Sequence, residues 1–291
     1  MKRLGFFLAV ASIACGASVE PSFDEGPGGT AGLAEPEIIG GVETPLSSYP
    51  STVQIGRCSG VKVGPTLVLT AAHCLVDLST MEPKFGPGKP IRLGATSRAV
   101  AAVHLHPAYA KVCADTMCSI PSVAQKADAP DVALLELARE IEAVPSASID
   151  ATSLTPGQTV MLVGYGCIDG VHVPETRVVV PLMTAPSTIL EPSAAVHEGS
   201  ALTAADAPVY SGNYLLTGGP AATGPGLCPG DSGGPVYGRR NGNLVVVGIN
   251  ANYTLRPDAA DRVGVPVTNW HTRVDAASRN GVHAWIETFV R

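Results

Sequence analysis

Gly230-Asp231-Ser232-Gly233-Gly234-Pro235 is the stretch on which the reading of this chain turns. A serine hydroxyl is a poor nucleophile until a base takes its proton and nearby donors hold the developing oxyanion. Glycines on both sides let the backbone turn sharply and aim N–H groups at a carbonyl. The bland reading is a glycine-rich turn with an incidental serine, which any short motif allows. What decides between the two is whether a base and a carboxylate accompany the serine.

Both partners are present upstream. Thr70-Ala71-Ala72-His73-Cys74 follows the apolar run Leu67–Leu69, so His73 stands at a strand end. Asp131-Val132-Ala133-Leu134-Leu135 opens another apolar run. A carboxylate leading into a buried strand needs a partner, and a histidine N–H supplies one. Taken singly, each has an ordinary structural reading, a lone histidine or a turn aspartate. The hexapeptide also satisfies G-x-S-x-G, the nucleophile elbow, but that arrangement places the acid and the histidine after the serine within a parallel αβ sheet. Here only a short tail with His271 and His283 follows Ser232, so that reading is rejected.

The order His73, Asp131, Ser232 and the three local motifs resemble the chymotrypsin/trypsin-like serine protease family in an exported, bacterial-type form. Ile38-Ile39-Gly40-Gly41 resembles the mature N-terminus that zymogen cleavage creates there, and the resemblance runs from Ile38 to the end. It implies an all-β fold of two antiparallel β-barrels with a C-terminal helix, the N-terminal barrel over about 38–150 and the C-terminal one over about 151–291. It implies His73 as general base, Asp131 as its orienter and Ser232 as nucleophile, with the N–H groups of Gly230 and Ser232 as oxyanion hole. The freed amino group of Ile38 would pair with Asp231, whose alternative is a solvated turn residue. Glu37, rather than a basic residue, precedes Ile38, which favours a Glu-preferring or broad activating protease.

The resemblance also sorts the cysteines. With Cys15 removed, six remain, and six allow fifteen pairings. The family pattern selects Cys58–Cys74, whose loop closure contributes about 3 kcal/mol. Cys113 with Cys118, in a poorly hydrophobic insertion, and Cys167 with Cys228 complete the expected set. Counted back from Ser232, Gly226 occupies the pocket base where trypsin-like enzymes carry Asp, and Ala251-Asn252-Tyr253 replaces the usual Ser-Trp-Gly edge. That pocket predicts small or medium apolar residues before the scissile bond. The replacement of the edge serine by Ala251 also removes one family hydrogen bond to the triad aspartate. His104 and His106 alternate onto one strand face without a third ligand, so no metal and no cofactor are expected.

The remaining chain fits this picture. Its 291 residues suffice for a sizeable core, mean hydropathy is +0.23, and 32 Gly with 25 Pro punctuate short apolar runs. A net charge of −6 without basic blocks disfavours nucleic acid as a partner. Residues 1–15 read as an export signal, with Lys2 and Arg3, then the run Leu4–Val10, then small residues around Cys15. Ala14 and Gly16 resemble a lipoprotein signal, whereas Ser12 stands where an aliphatic residue is usual, so a lipid on Cys15 is the minor alternative to plain secretion or periplasmic export. Residues 16–37 read as a flexible pro-segment. Strands are predicted at Thr52–Ile55, Leu67–Thr70, Ala99–Leu105, Val132–Leu137, Thr159–Gly164, Thr176–Leu182 and Leu244–Ile249, with no long helix between them. Val282, Trp285, Ile286, Phe289 and Val290 predict the closing amphipathic helix. No internal repeat is visible. The function expected is a serine endopeptidase acting on proteins or peptides after cleavage by an activating protease. The rivals are a catalytically silent binding protein on the same fold and an esterase-like acyl hydrolase.

Overall fold

The computed structural model describes residues 38–290, apart from 79, 81, 95, 117–126, 167–180, 197–202, 220–223 and 256–265. The leader, the pro-segment, Cys15, Glu37, Cys118, Cys167 and most of the strand expected at Thr176–Leu182 therefore lie outside the described residues.

The described chain is dominated by antiparallel strands. They are β1 (Val42–Glu43), β2 (Thr52–Ile55), β3 (Cys58–Lys62), β4 (Leu67–Thr70), β5 (Pro90–Leu93), β6 (Thr96–Leu105), β7 (Ala133–Leu137), β8 (Ser148–Ile149), β9 (Thr159–Gly164), β10 (Met183–Thr188), β11 (Tyr214–Gly218), β12 (Pro235–Arg240), β13 (Asn243–Leu255) and β14 (Pro266–Arg273). The helices are α1 (Ala72–Leu75), α2 (Pro107–Thr116), α3 (Ala207–Tyr210) and α4 (Val282–Val290).

The first barrel closes in the order β2-β3-β4-β7-β6-β5. The second sheet runs β1-β10-β9-β12-β13-β14-β11, and a bridge between Ile189 and Thr217 joins the end of β10 to β11. Relabelled a to f along the chain, β2–β7 and β9–β14 both close as a-b-c-f-e-d. Two barrels of one topology thus stand on unrelated sequences. β8 pairs with β13 in parallel, whereas every other named strand pairing is antiparallel. That pattern is incompatible with a nucleophile elbow on a parallel sheet.

Sequence boundaries and observed ones differ for physical reasons. β1 and β8 precede residue 150 yet pair within the second sheet, so the N-terminal half of the chain laps onto the second barrel. β13 extends well past the apolar run Leu244–Ile249, because Asn250 and Asn252 continue its pairing with β14. β3, with Ser59 and Lys62 buried, and β14, with Thr268, Asn269, His271 and Thr272 buried, were hidden by their polar composition. The helix α2 begins at Pro107, a residue suited to a first helical turn.

One apolar cluster joins both barrels and the terminal helix. It holds Val61, Leu67, Leu69 and Leu134 from the first barrel, Val163, Tyr237, Val246 and Ile249 from the second, and Val282 and Ile286 from α4. Each fully buried aliphatic side chain contributes about 1.5–3 kcal/mol. Phe289 and Trp285 of α4 lie against the rings of His104 and His106, at 4.6 and 5.1 Å between centroids. His104 also bonds Glu136 at 2.9 Å, so this histidine pair is a docking seat for the helix.

Candidate active site

Strand register brings His73 and Asp131 together. Thr70, at the end of β4, pairs with Ala133, at the start of β7. His73 is three residues beyond Thr70 and Asp131 two residues before Ala133, so both leave the barrel at the same rim. Asp131 Oδ1 accepts the backbone N–H of His73 at 3.0 Å, and Oδ2 lies 2.6 Å from Nδ1. With the carboxylate ionised, Nδ1 carries the proton and Nε2 keeps its lone pair. Burial works against the imidazolium, but the charge and hydrogen bond of Asp131 outweigh it, while Lys84 opposes them. The His73 pKa consequently rises above its ordinary 6.5.

The aspartate is held at its backbone as well. Its N–H donates to the Tyr214 hydroxyl at 3.2 Å, and that hydroxyl donates to Ala129 O at 2.6 Å. Its carbonyl accepts from Thr272 Oγ1 at 2.9 Å. Residues of the second barrel thereby fix an aspartate of the first. These contacts orient Asp131 in a chain where Ala251 offers it no hydroxyl.

Ser232 comes from the loop between β11 and β12. Its carbonyl accepts from Ser59 N at 2.8 Å. Gly230 has φ +108 and Gly233 φ +81, conformations that side chains rarely adopt. A Cβ on Gly230 would meet Tyr165 O at 2.7 Å and Gly166 Cα at 2.8 Å. The N–H groups of Asp231, Gly233 and Gly234 donate to the carbonyls of Cys228, Asn250 and Asp231. Those of Gly230 and Ser232 donate to no other described residue.

His73, Asp131 and Ser232 line one cleft of about 470 Å³, together with Tyr109, Tyr214 and Trp270 among others. Ala251, Asn252 and Tyr253 line it too, whereas Gly226 is not among its lining residues. Gly226 instead forms a two-way backbone bridge with Ile39, at 2.9 Å in both directions. Ile38 is fully buried with φ +45. Asp231 is fully buried, not a solvated turn residue, and its carboxylate accepts Cys228 N at 3.0 Å. It packs so closely on Gly164 and Gly166 that a side chain at either would collide with it.

Beneath the nucleophile loop lies a polar layer that sequence reading missed. Asn269 accepts from Leu227 N and donates to Thr217 Oγ1, Gly218 O and Pro225 O. His271 sits between Thr217 Oγ1 at 3.0 Å and Asn250 Oδ1 at 2.9 Å, and Asn250 Nδ2 donates to Val163 O. Since Asn250 Oδ1 can only accept, His271 carries its proton on Nδ1. Burial lowers its pKa to about 3. The one available signal was the run of polar residues after Pro266, which reads as loop until β14 is known.

Cys58 and Cys74 form a disulfide. Cys113 and Cys228 are also disulfide-bonded, and the partners expected for them, Cys118 and Cys167, lie outside the described residues. Among the described residues, the one group close enough to share a metal ion is Cys58, His73 and Cys74. The disulfide consumes both of its sulfurs, so the donor set does not fit a metal.

A family model described as trypsin matches residues 38–271. Hypodermin-B of Hypoderma lineatum is 35% identical over 92 residues, 28% of this chain and 33% of that protein. Trypsin alpha-4 of Lucilia cuprina is 31% identical over 115 residues, 38% of this chain and 42% of that protein. The chain thus matches well under half the length of these relatives. The family match, in contrast, covers most of the chain and coincides with the double barrel: this chain belongs to the trypsin family of serine proteases.

Proposed function

We propose that the chain is an exported serine endopeptidase in which Ser232 is the nucleophile, His73 the general base and Asp131 its orienter. The observation that carries this is the 2.6 Å Nδ1–carboxylate contact, which leaves Nε2 basic in a cleft that Ser232 lines. Ser232 Oγ attacks the scissile carbonyl as its proton passes to His73 Nε2. The carbonyl oxygen becomes an oxyanion held by the N–H groups of Gly230 and Ser232. His73 then returns the proton to the departing amine, leaving an acyl-enzyme. Water, deprotonated by His73, attacks that ester, and the acid product leaves as the proton returns to Ser232.

Cleavage before Ile38 is part of this reading. It is supported by the burial of Ile38, the Ile39–Gly226 bridge and the fully buried Asp231 carboxylate, for which a freed Ile38 amino group is a fitting cation. Export is supported by the leader and by a disulfide, which belongs in an oxidising compartment. For specificity, Asp131 is the one carboxylate lining the cleft among the described residues, and His73 already occupies it. Substrates with Arg or Lys before the scissile bond find no free anion among the described lining residues, which favours small or medium apolar residues.

The test is labelling with a fluorophosphonate probe, before and after cleavage at Glu37–Ile38, beside a Ser232→Ala control. Covalent label on Ser232 after cleavage, absent in the control, is the expected result. An unlabelled, correctly folded and cleaved protein would refute the enzyme reading and leave a binding protein.

A further inference from the structure

Ser59 stands outside the three motifs, yet more of the nucleophile loop is tied to it than to any of its neighbours on β3. Its side chain is fully buried. Its hydroxyl donates to Gly230 O at 2.8 Å and accepts the N–H of Tyr165 at 2.9 Å. Its own N–H donates to Ser232 O at 2.8 Å, and its carbonyl accepts from Thr70 Oγ1 at 2.7 Å. The preceding residue, Cys58, is bonded to Cys74, the residue after His73. The side chain and backbone of one residue thus connect the loop of Gly230 and Ser232, the end of β9 and the strand that leads to His73.

We propose that Ser59 is a positioning residue for the acyl-transfer reaction, one that fixes the Gly230 oxyanion donor through the Gly230 carbonyl. This rests on the serine-hydrolase reading above. A glycine at φ +108 has no side chain to restrict it, so its orientation must be imposed by its surroundings. Tyr165 and Gly166 press on one side of Gly230. The Ser59 hydroxyl holds the other through the carbonyl, and it has no rotational freedom left once it both donates and accepts. Rotation of Gly230 toward another backbone basin would strand its carbonyl and the Ser59 hydroxyl proton together. The clasp comes from the first barrel and does not involve the Asp231 side chain. It therefore holds the hole by a route separate from zymogen cleavage.

The measurement is the second-order rate constant for fluorophosphonate labelling of cleaved full-length protein across pH, with total labelled protein and melting temperature recorded in parallel. Ser59→Ala and Ser59→Gly are compared with wild type. Expected are a plateau rate about tenfold lower in both variants, complete labelling at long times, and an acid limb in the wild-type position, since His73 and Asp131 are untouched. The tenfold figure is a fraction of the 10²–10³ that one oxyanion donor contributes. A wild-type rate in either variant overturns the proposal. So does a loss confined to the labelled fraction or accompanied by collapse of the melting temperature in both variants, which marks Ser59 as merely structural. Failure of wild type itself to label overturns the enzyme reading as well, and so is distinguishable.

Discussion

Asn269→Ala removes the centre of the polar layer under the nucleophile loop, and its cost follows from the partners left behind. Leu227 N–H loses its acceptor at 2.9 Å, and the carbonyls of Gly218 and Pro225 lose donors at 3.0 and 2.8 Å. Asn269 is fully buried, so water does not replace it. A buried polar group left unpaired costs about 1–3 kcal/mol, so three of them cost about 3–9 kcal/mol. That is a large share of the roughly 5–15 kcal/mol by which a folded domain is stable. Chemical denaturation of wild type and variant reads the difference directly, as a shifted midpoint at unchanged slope. Asn269→Asp sharpens the test: it keeps the acceptor for Leu227 but aims a carboxylate at two carbonyl oxygens, so this near-isostere should be no more stable than the alanine variant. A midpoint within about 1 kcal/mol of wild type for Asn269→Ala would refute the reasoning.

Three further outcomes are expected. The rate of Ser232 labelling should fall as pH drops through the raised pKa of His73, with the acid limb above pH 6.5, and Asp131→Asn should move that limb downward; both are read from rate against pH. Tyr214→Phe should destabilise by about 1–3 kcal/mol, since Ala129 O loses its buried donor and Asp131 N its acceptor, and should slow labelling; melting and rate measurements check it. His106 and His271 have folded pKa values lowered by burial to about 4 and about 3, against 6.5 unfolded. Their stabilisation is complete above pH 6.5 and is lost as pH falls from 6.5 toward the folded values. Each contributes a slope of about 1.4 kcal/mol per pH unit there, and unfolding near pH 5 should take up close to two extra protons from this pair, measurable by denaturation in buffers of different pH.

What sequence made legible was the part whose chemistry constrains residue type locally. The glycines around Ser232 announce a turn only glycine can make, and apolar runs before His73 and after Asp131 announce strands. β3 and β14 were illegible because tertiary hydrogen bonds, not apolar alternation, hold their polar residues. Asn269, Ser59 and Tyr214 escaped for the same reason: their partners lie 42, 171 and 83 positions away, and nothing local marks them. Gly226 has a contact that its sequence position does not announce. Counting residues expects it at the base of a pocket, and the structure adds a backbone bridge to Ile39, next to the buried Ile38. The role of His104 and His106 as the seat of α4 required the helix to be seen in place.

The apolar cluster shared by both barrels and α4 carries a consequence for safety. His73 and Asp131 leave the first barrel and Ser232 belongs to the second, so neither barrel alone holds all three residues of the proposed triad. The cluster is the seam between them, and any excursion that opens it takes the base away from the nucleophile. A hydrolase divided as proposed would fail silently: a half-folded or half-degraded copy could not digest its neighbours, and its activity would exist only while the whole molecule does.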